Sequence, residues 1–243
     1  MPDKGTASCQ ETFVEPIRSL FENSGASISL EEERVLFVDG EEADSIFFIT
    51  SGMLRCCLIS EDGHRHIFTF ASAGRLLGLP FAAQRHFTAE AVCHTRVRAL
   101  PLPLLETAAK RSPDLVLAQR HFVREELKLR EMHLLRLASL PAEARLLSFL
   151  TEHAALAGPD LRRGMGVIAL PMSRRDIADH LGLTLETVSR AFGALRRQGR
   201  LELMGKGAFR LPEYLPRQDG SAADVRAVPA NGDGPPAGAM LRG

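Results

Sequence analysis

Three side chains in the C-terminal third have types and spacing suited to reading another molecule's edges: Glu186, Ser189 and Arg190, within the run ETVSR. On a helix Glu186 and Arg190 stand one above the other at i and i+4, with Ser189 beside them. A carboxylate can accept from the N4 amino group of cytosine, and a guanidinium can grip O6 and N7 of guanine through two parallel hydrogen bonds. The competing reading is an exposed ion pair on a surface helix, a contact that stabilises by only a few tenths of a kcal/mol.

The surrounding stretch, MSRRDIADHLGLTLETVSRAFGALRRQG over residues 172–199, favours the first reading. Ile177, Ala178 and Leu181 share one face of a first short helix, and Val188, Phe192 and Leu195 share one face of a second. Gly182 follows the first helix where a left-handed residue ends it, and Ser173 and Thr184 can cap the two helix starts. The following LELMGKGAFRL reads as two short strands around a Gly205-Lys206-Gly207 turn. This pattern is a winged helix-turn-helix, with Glu186, Ser189 and Arg190 facing base edges. Ser173, Thr184, Thr187, Arg197 and Lys206 are placed around them as contacts to phosphates.

The rest of the chain must carry and pair that unit. Its 243 residues are 45% apolar and 25% charged, enough for two cores. Net charge is zero, but residues 141–211 hold 11 basic and 7 acidic side chains, whereas residues 1–140 hold 16 and 19. The basic excess therefore sits with the bihelical unit, in support of a polyanionic partner. No run of about 18 apolar residues and no acylation or leader pattern is found, so the expected location is the cytoplasm, away from membranes.

Upstream, Phe13, Ile17, Leu20 and Phe21 mark a short amphipathic helix. Residues 29–102 fall into short β-rich runs, broken by Asp39-Gly40, Ser51-Gly52 and Glu61-Asp62-Gly63 at about 11-residue spacing. That spacing predicts an antiparallel jelly roll, or β-roll. Residues 113–140 form the longest uninterrupted helical pattern, opened by Ser112-Pro113 and closed before Pro141. Leu115, Phe122 and Leu129 align at heptad spacing with Met132 offset by three, and predict the seam of a homodimer. A second stripe through Val116, Val123, Leu127, Leu134 and Leu137 makes the helix apolar on more than one side. The expected fold class is α+β, with a β-roll in 1–112, a dimerisation helix in 113–140 and a DNA-binding domain in 141–215. A Pro- and Gly-rich tail in 216–243 is expected to lack order.

Enzyme chemistry finds no support, because no nucleophile, base and orienter can be assembled without arbitrary choices. His64 and His66 share a strand face, yet two ligands do not make a metal site. Cys9, Cys56, Cys57 and Cys93 are too scattered for a disulfide framework, and the adjacent pair points to opposite faces of a strand, so a thiolate-held cluster is not expected. Gly164-Met165-Gly166 imitates a dinucleotide fingerprint but leads into a strand, VIALP, instead of a helix.

Asp176-Ile177-Ala178, Leu181-Gly182 and Glu186-Thr187-Val188-Ser189-Arg190 resemble the winged helix of the Crp/Fnr superfamily of bacterial transcription regulators. Glu-x-x-Ser-Arg is the Fnr-type wording, and Leu185 and Ser189 stand where the cyclic-AMP-receptor type has Arg and Gly; the chain is most similar to the FixK-like branch. Gly40 to His66 resembles the superfamily's β-roll, and Ala142-Glu143-Ala144-Arg145-Leu146 the start of its DNA domain. The resemblance implies a dimeric regulator, with DNA operator and RNA polymerase as partners and TTGAT-like half-sites about one helical turn apart. It implies an activator in an oxygen- or stress-related response. Cyclic-nucleotide relatives carry Gly-Glu-Leu followed by Arg-Ser or Arg-Thr; here Gly78-Leu79-Pro80 and Phe87-Thr88-Ala89 lack the Glu and Arg, and Arg85 lies two positions early. No cofactor is therefore expected. The alternative is a sensor gated by an unidentified small molecule or by cysteine oxidation.

Overall fold

The computed structural model describes residues 9–79, 83–156, 166–205 and 207–212, with side chains from Glu15 onward. Helix α1 (Cys9–Ser24) precedes eight strands: β1 (Ala26–Leu30), β2 (Val35–Phe37), β3 (Ser45–Ser51), β4 (Met53–Ile59), β5 (Arg65–Ser72), β6 (Leu76–Leu77), β7 (Thr88–Ala91) and β8 (Thr95–Pro101). They form two four-stranded antiparallel sheets, ordered β1-β8-β3-β6 and β2-β7-β4-β5, which is the predicted β-roll. Their facing sides bury Phe37, Phe47, Ile49, Leu54, Cys56 and Val97 in one core. Gly52, in the β3–β4 turn, shows why glycine is needed there: at φ +83° an added Cβ would lie 2.5 Å from the His94 carbonyl oxygen.

Helix α2 (Leu102–Ala109) leads to the long helix α3 (Pro113–Ser139). Ser112 caps α3, its Oγ accepting the Leu115 N–H at 3.3 Å, and Pro113 occupies the first turn, where its missing N–H is harmless. After Leu140 and Pro141 come α4 (Ala142–Leu156), β9 (Ile168–Ala169), α5 (Arg174–Leu181), α6 (Leu185–Arg197), β10 (Glu202–Leu203) and β11 (Ala208–Arg210). Strands β10, β11 and β9 form a small antiparallel sheet beside α5 and α6, the predicted wing with β9 added. Among the described residues no helix is long and apolar enough to cross a membrane. Lys206, Pro80, Gly164, Met165 and the 216–243 tail lie outside the described residues, as do the side chains of Cys9 and Phe13.

One expectation is corrected. Leu115 and Phe122, predicted to meet a partner subunit, are 3% and 6% exposed within the single chain. They pack with Ile17 and Phe21 of α1 and with Ile46 and Phe48 of β3. Leu129 continues the same inward face and is half-buried, whereas Met132 is exposed. Heptad spacing identified an apolar face correctly but could not say what covers it. The second stripe is the uncovered one, with Val123, Leu127 and Leu134 at 44%, 57% and 64% exposure.

Candidate nucleic-acid interface

The recognition face is built on α6. Val188, Ala191, Phe192 and Leu195 bury its inner side with Ile177, Ala178 and Leu181 of α5 and with Leu146, Phe149 and Leu150 of α4. Packing of that stripe turns Glu186, Ser189 and Arg190 outward, and all three are exposed. Arg190 Nη2 meets Glu186 Oε1 at 3.0 Å, with both side chains more than 70% exposed. Ser189 Oγ donates to the Leu185 carbonyl at 2.9 Å, which leaves its oxygen lone pairs free to accept. Arg197, two turns beyond Arg190, is also exposed and continues the same face.

The caps are formed as predicted, and this alters what they can offer. Gly182 ends α5 at φ +61°. Thr184 Oγ1 accepts the Thr187 N–H at 3.1 Å, and the two threonine hydroxyls lie 2.8 Å apart. Ser173 Oγ accepts the Asp176 N–H at 3.0 Å and donates to Asp176 Oδ2 at 2.7 Å. Ser173 and Thr184 therefore serve first as helix caps, and any phosphate contact through their hydroxyls must share those bonds. Arg174, not singled out by the sequence pattern, lies over the Phe192 ring with a buried Nη1 that has no hydrogen-bond partner. Burial lowers its pKa to about 10, so it stays charged at neutral pH.

Behind α5 lies a layer of charge that sequence reasoning missed. Asp176 is 3% exposed and receives Arg65 Nη2 at 2.6 Å and Arg55 Nη1 at 3.4 Å, both from the β-roll. Beside it the His180 ring stacks on His133 of α3 at 4.1 Å between centroids. His180 Nδ1 lies 2.9 Å from the Ile67 carbonyl oxygen, and because a carbonyl only accepts, that nitrogen carries the proton. Burial, then the neighbouring His133, lowers the His180 pKa to about 3; burial, then Arg136, lowers His133 to about 4. The only sequence signal was two acids, Asp176 and Asp179, spaced three apart on a short helix otherwise facing a core.

The remaining site expectations concern ligands. Arg85 is buried, donates to the Gly78 carbonyl at 3.0 Å and the Ser45 carbonyl at 2.6 Å, and lies over the Phe37 ring. Both of its terminal nitrogens are thus bonded to backbone oxygens, while its buried Nε has no hydrogen-bond partner. Cys56 faces the β-roll core, where burial pushes its thiol far up, and Cys57 on the other face is pushed up to about 11, chiefly by burial. Cys93 is partly exposed. Among the described residues no group of three or more His, Cys, Asp or Glu could hold a metal ion.

Residues 144–214 match the Crp-like helix-turn-helix domain, and residues 27–112 match the cyclic nucleotide-binding domain. The nitrogen fixation regulation protein FixK of Azorhizobium caulinodans is 35% identical over 168 residues, covering 69% of this chain and 68% of that protein. The chain belongs to the Crp/Fnr family. The transcriptional activatory protein AadR of Rhodopseudomonas palustris is 32% identical, over 77% of this chain and 78% of that protein. The solved structure of FixK2 from Bradyrhizobium japonicum superposes with a TM-score of 0.72 at 33% identity, covering 77% of this chain and 92% of that one. This Crp/Fnr protein is accordingly a DNA-binding transcription regulator and not an enzyme.

Proposed function

We propose that this Crp/Fnr protein acts as a homodimer that reads a palindromic operator with TTGAT-like half-sites and activates transcription by contacting RNA polymerase, in response to oxygen limitation or stress. The observation that carries the reading is the exposed Glu186–Ser189–Arg190 face, already aligned by the 3.0 Å ion pair. The uncovered stripe of Val123, Leu127 and Leu134 on α3 supports pairing of two chains, since single soluble chains seldom leave such a stripe in water. The anaerobic regulatory proteins of Haemophilus influenzae and Pasteurella multocida support the oxygen-related response, and the transcriptional activatory protein AadR supports activation.

The protein is proposed to need no resident cofactor, in keeping with the bonds of both terminal nitrogens of Arg85 to backbone oxygens. A second reading, gating by a small molecule, is favoured by a mainly apolar cavity of about 260 Å³ between β6 and α3, lined by Leu76, Leu79, Phe87, Val123 and Leu127 together with the charged Glu126 and Arg130. One experiment tests both. Purified protein, without added effector, is titrated with a TTGAT palindrome and with scrambled DNA; specific binding is usually about 10³-fold or more tighter than non-specific binding. Binding only in the presence of an added small molecule would favour the second reading. Leu127→Glu with Leu134→Glu is expected to give monomers and to weaken the palindrome by about 10²-fold or more, because the two half-site contacts are no longer linked. An unchanged sedimentation coefficient would remove that stripe from the interface.

A further inference from the structure

The bihelical unit is tied to the β-roll by charges that base reading does not use. Asp176 Oδ2 accepts the N–H and hydroxyl of Ser173 and so caps α5, while Oδ1 accepts from Arg65 and Arg55. Asp179, one turn on, accepts Arg65 Nε at 2.9 Å. Arg55 is itself 3% exposed, with Glu90 at 2.7 Å and Glu33 at 2.5 Å completing its shell. One carboxylate thus starts the first recognition-unit helix and receives two guanidinium groups from the other domain.

Planar guanidinium groups with several bonds fix direction as well as distance, unlike a point charge. The covalent link cannot do this alone, since α3 and α4 meet at the single Leu140–Pro141 corner. Arg136 of α3 bonds Ser148 and Glu152 of α4, and Arg145 of α4 bonds the Leu137, Leu140 and Leu181 carbonyls, so α4 is held to both α3 and α5. The contact of β5 with α5 adds the tie to the β-roll, and the His180–His133 stack holds the far end of α5 against α3.

We propose that Arg55 and Arg65 are positioning residues for operator reading: through Asp176 and Asp179 they fix the separation and tilt of the two recognition helices in the dimer. The inference rests on the dimeric, palindrome-reading function proposed above. It assigns to the β-roll a part in spacing discrimination that does not require a ligand.

The test uses the full chain with Arg65→Ala and Asp179→Asn, singly and together. Binding is measured on a single half-site duplex and on palindromes whose spacer is unaltered, one base pair shorter or one base pair longer. Each single variant is expected to lose about tenfold on the best spacer, while half-site affinity stays within about twofold. The preference for that spacer should flatten, and the double variant should lose no more than the worse single one, because the pair acts as a unit. Spacer preference equal to that of the unaltered chain in both single variants overturns the positioning role, and so does an equal loss on the half-site. Should Arg65→Ala fail to fold, the isosteric Asp179→Asn decides by the same ratio. A flat spacer response in the unaltered chain would instead overturn the dimeric reading itself.

Discussion

Two carboxylate–guanidinium contacts lie on consecutive helices of the recognition unit, and their surroundings make them opposites. Glu186–Arg190 on α6 is 3.0 Å apart with both side chains more than 70% exposed. Arg65–Asp176, reaching from β5 to α5, is 2.6 Å apart with side chains 26% and 5% exposed. In water the first pair stabilises by about 0.3 to 0.5 kcal/mol, so its members can exchange one another for base edges at little cost. The second is largely kept from water and is part of a network, so removing Asp176 takes a buried carboxylate from two guanidinium groups at once and leaves Arg55 with Glu33 and Glu90 and Arg65 with Asp179. A pair that reads must be easy to open; a pair that orients must not be.

The sharpest way to break this comparison is to remove one carboxylate from each side. Asp176→Ala removes the capping-box carboxylate of α5 and one buried partner of both Arg55 and Arg65, which keep Glu33, Glu90 and Asp179, and is expected to destabilise the fold by about 2 to 4 kcal/mol. Glu186→Ala, by contrast, is expected to change stability by less than about 0.5 kcal/mol. Urea unfolding at matched protein concentration measures both. Equal losses would mean that burial does not separate the two contacts.

A second prediction concerns the imidazole stack beside the buried pair. His180 and His133 have folded pKa values lowered to about 3 and about 4, against the usual value of 6.5. The unfolded chain therefore takes up protons first as pH falls, so the stack's contribution is present above pH 6.5 and is lost below it. Each ring adds a slope of about 1.4 kcal/mol per pH unit, which amounts to roughly 3 kcal/mol for both by pH 5.5. His180→Gln should flatten the slope of unfolding free energy against pH by about one proton's worth. An unchanged slope would show that His180 is already protonated in the folded chain.

Much of this was legible in the sequence, and the reasons are particular. The Gly182 cap, the stripe Val188-Phe192-Leu195, the wing around Gly205 and the β-roll turns at Gly40, Gly52 and Gly63 all follow from local periodicity and backbone sterics. The open face of α3 was only half legible. Both of its apolar stripes obey helical spacing, and only the arrival of Ile17 and Phe21 on one of them decides which stays open. The buried charge layer was not legible at all. Arg55 and Asp176 lie 121 residues apart, and each has an ordinary surface reading until β4 and α5 are brought together.

The changes with the smallest expected effect on folding test the exposed pair on DNA. On the function proposed above, Arg190 holds a guanine through two hydrogen bonds while Glu186 accepts from a cytosine amino group, so Arg190→Ala should lose about 1 to 3 kcal/mol per half-site and relax preference at one base pair. Arg197, farther along the same face, is assigned to the backbone; Arg197→Ala should weaken operator and scrambled DNA alike and lower the salt slope by about one. Neither change should alter the spacer preference that Arg65 and Asp179 are inferred to set, because neither side chain is bonded to the β-roll. Competition titrations on single-base operator variants at two salt concentrations separate the cases. If Arg190→Ala lost affinity equally for operator and scrambled DNA, the arginine would be a phosphate clamp, and the difference between the two ion pairs would be one of burial alone and not of reading against orienting.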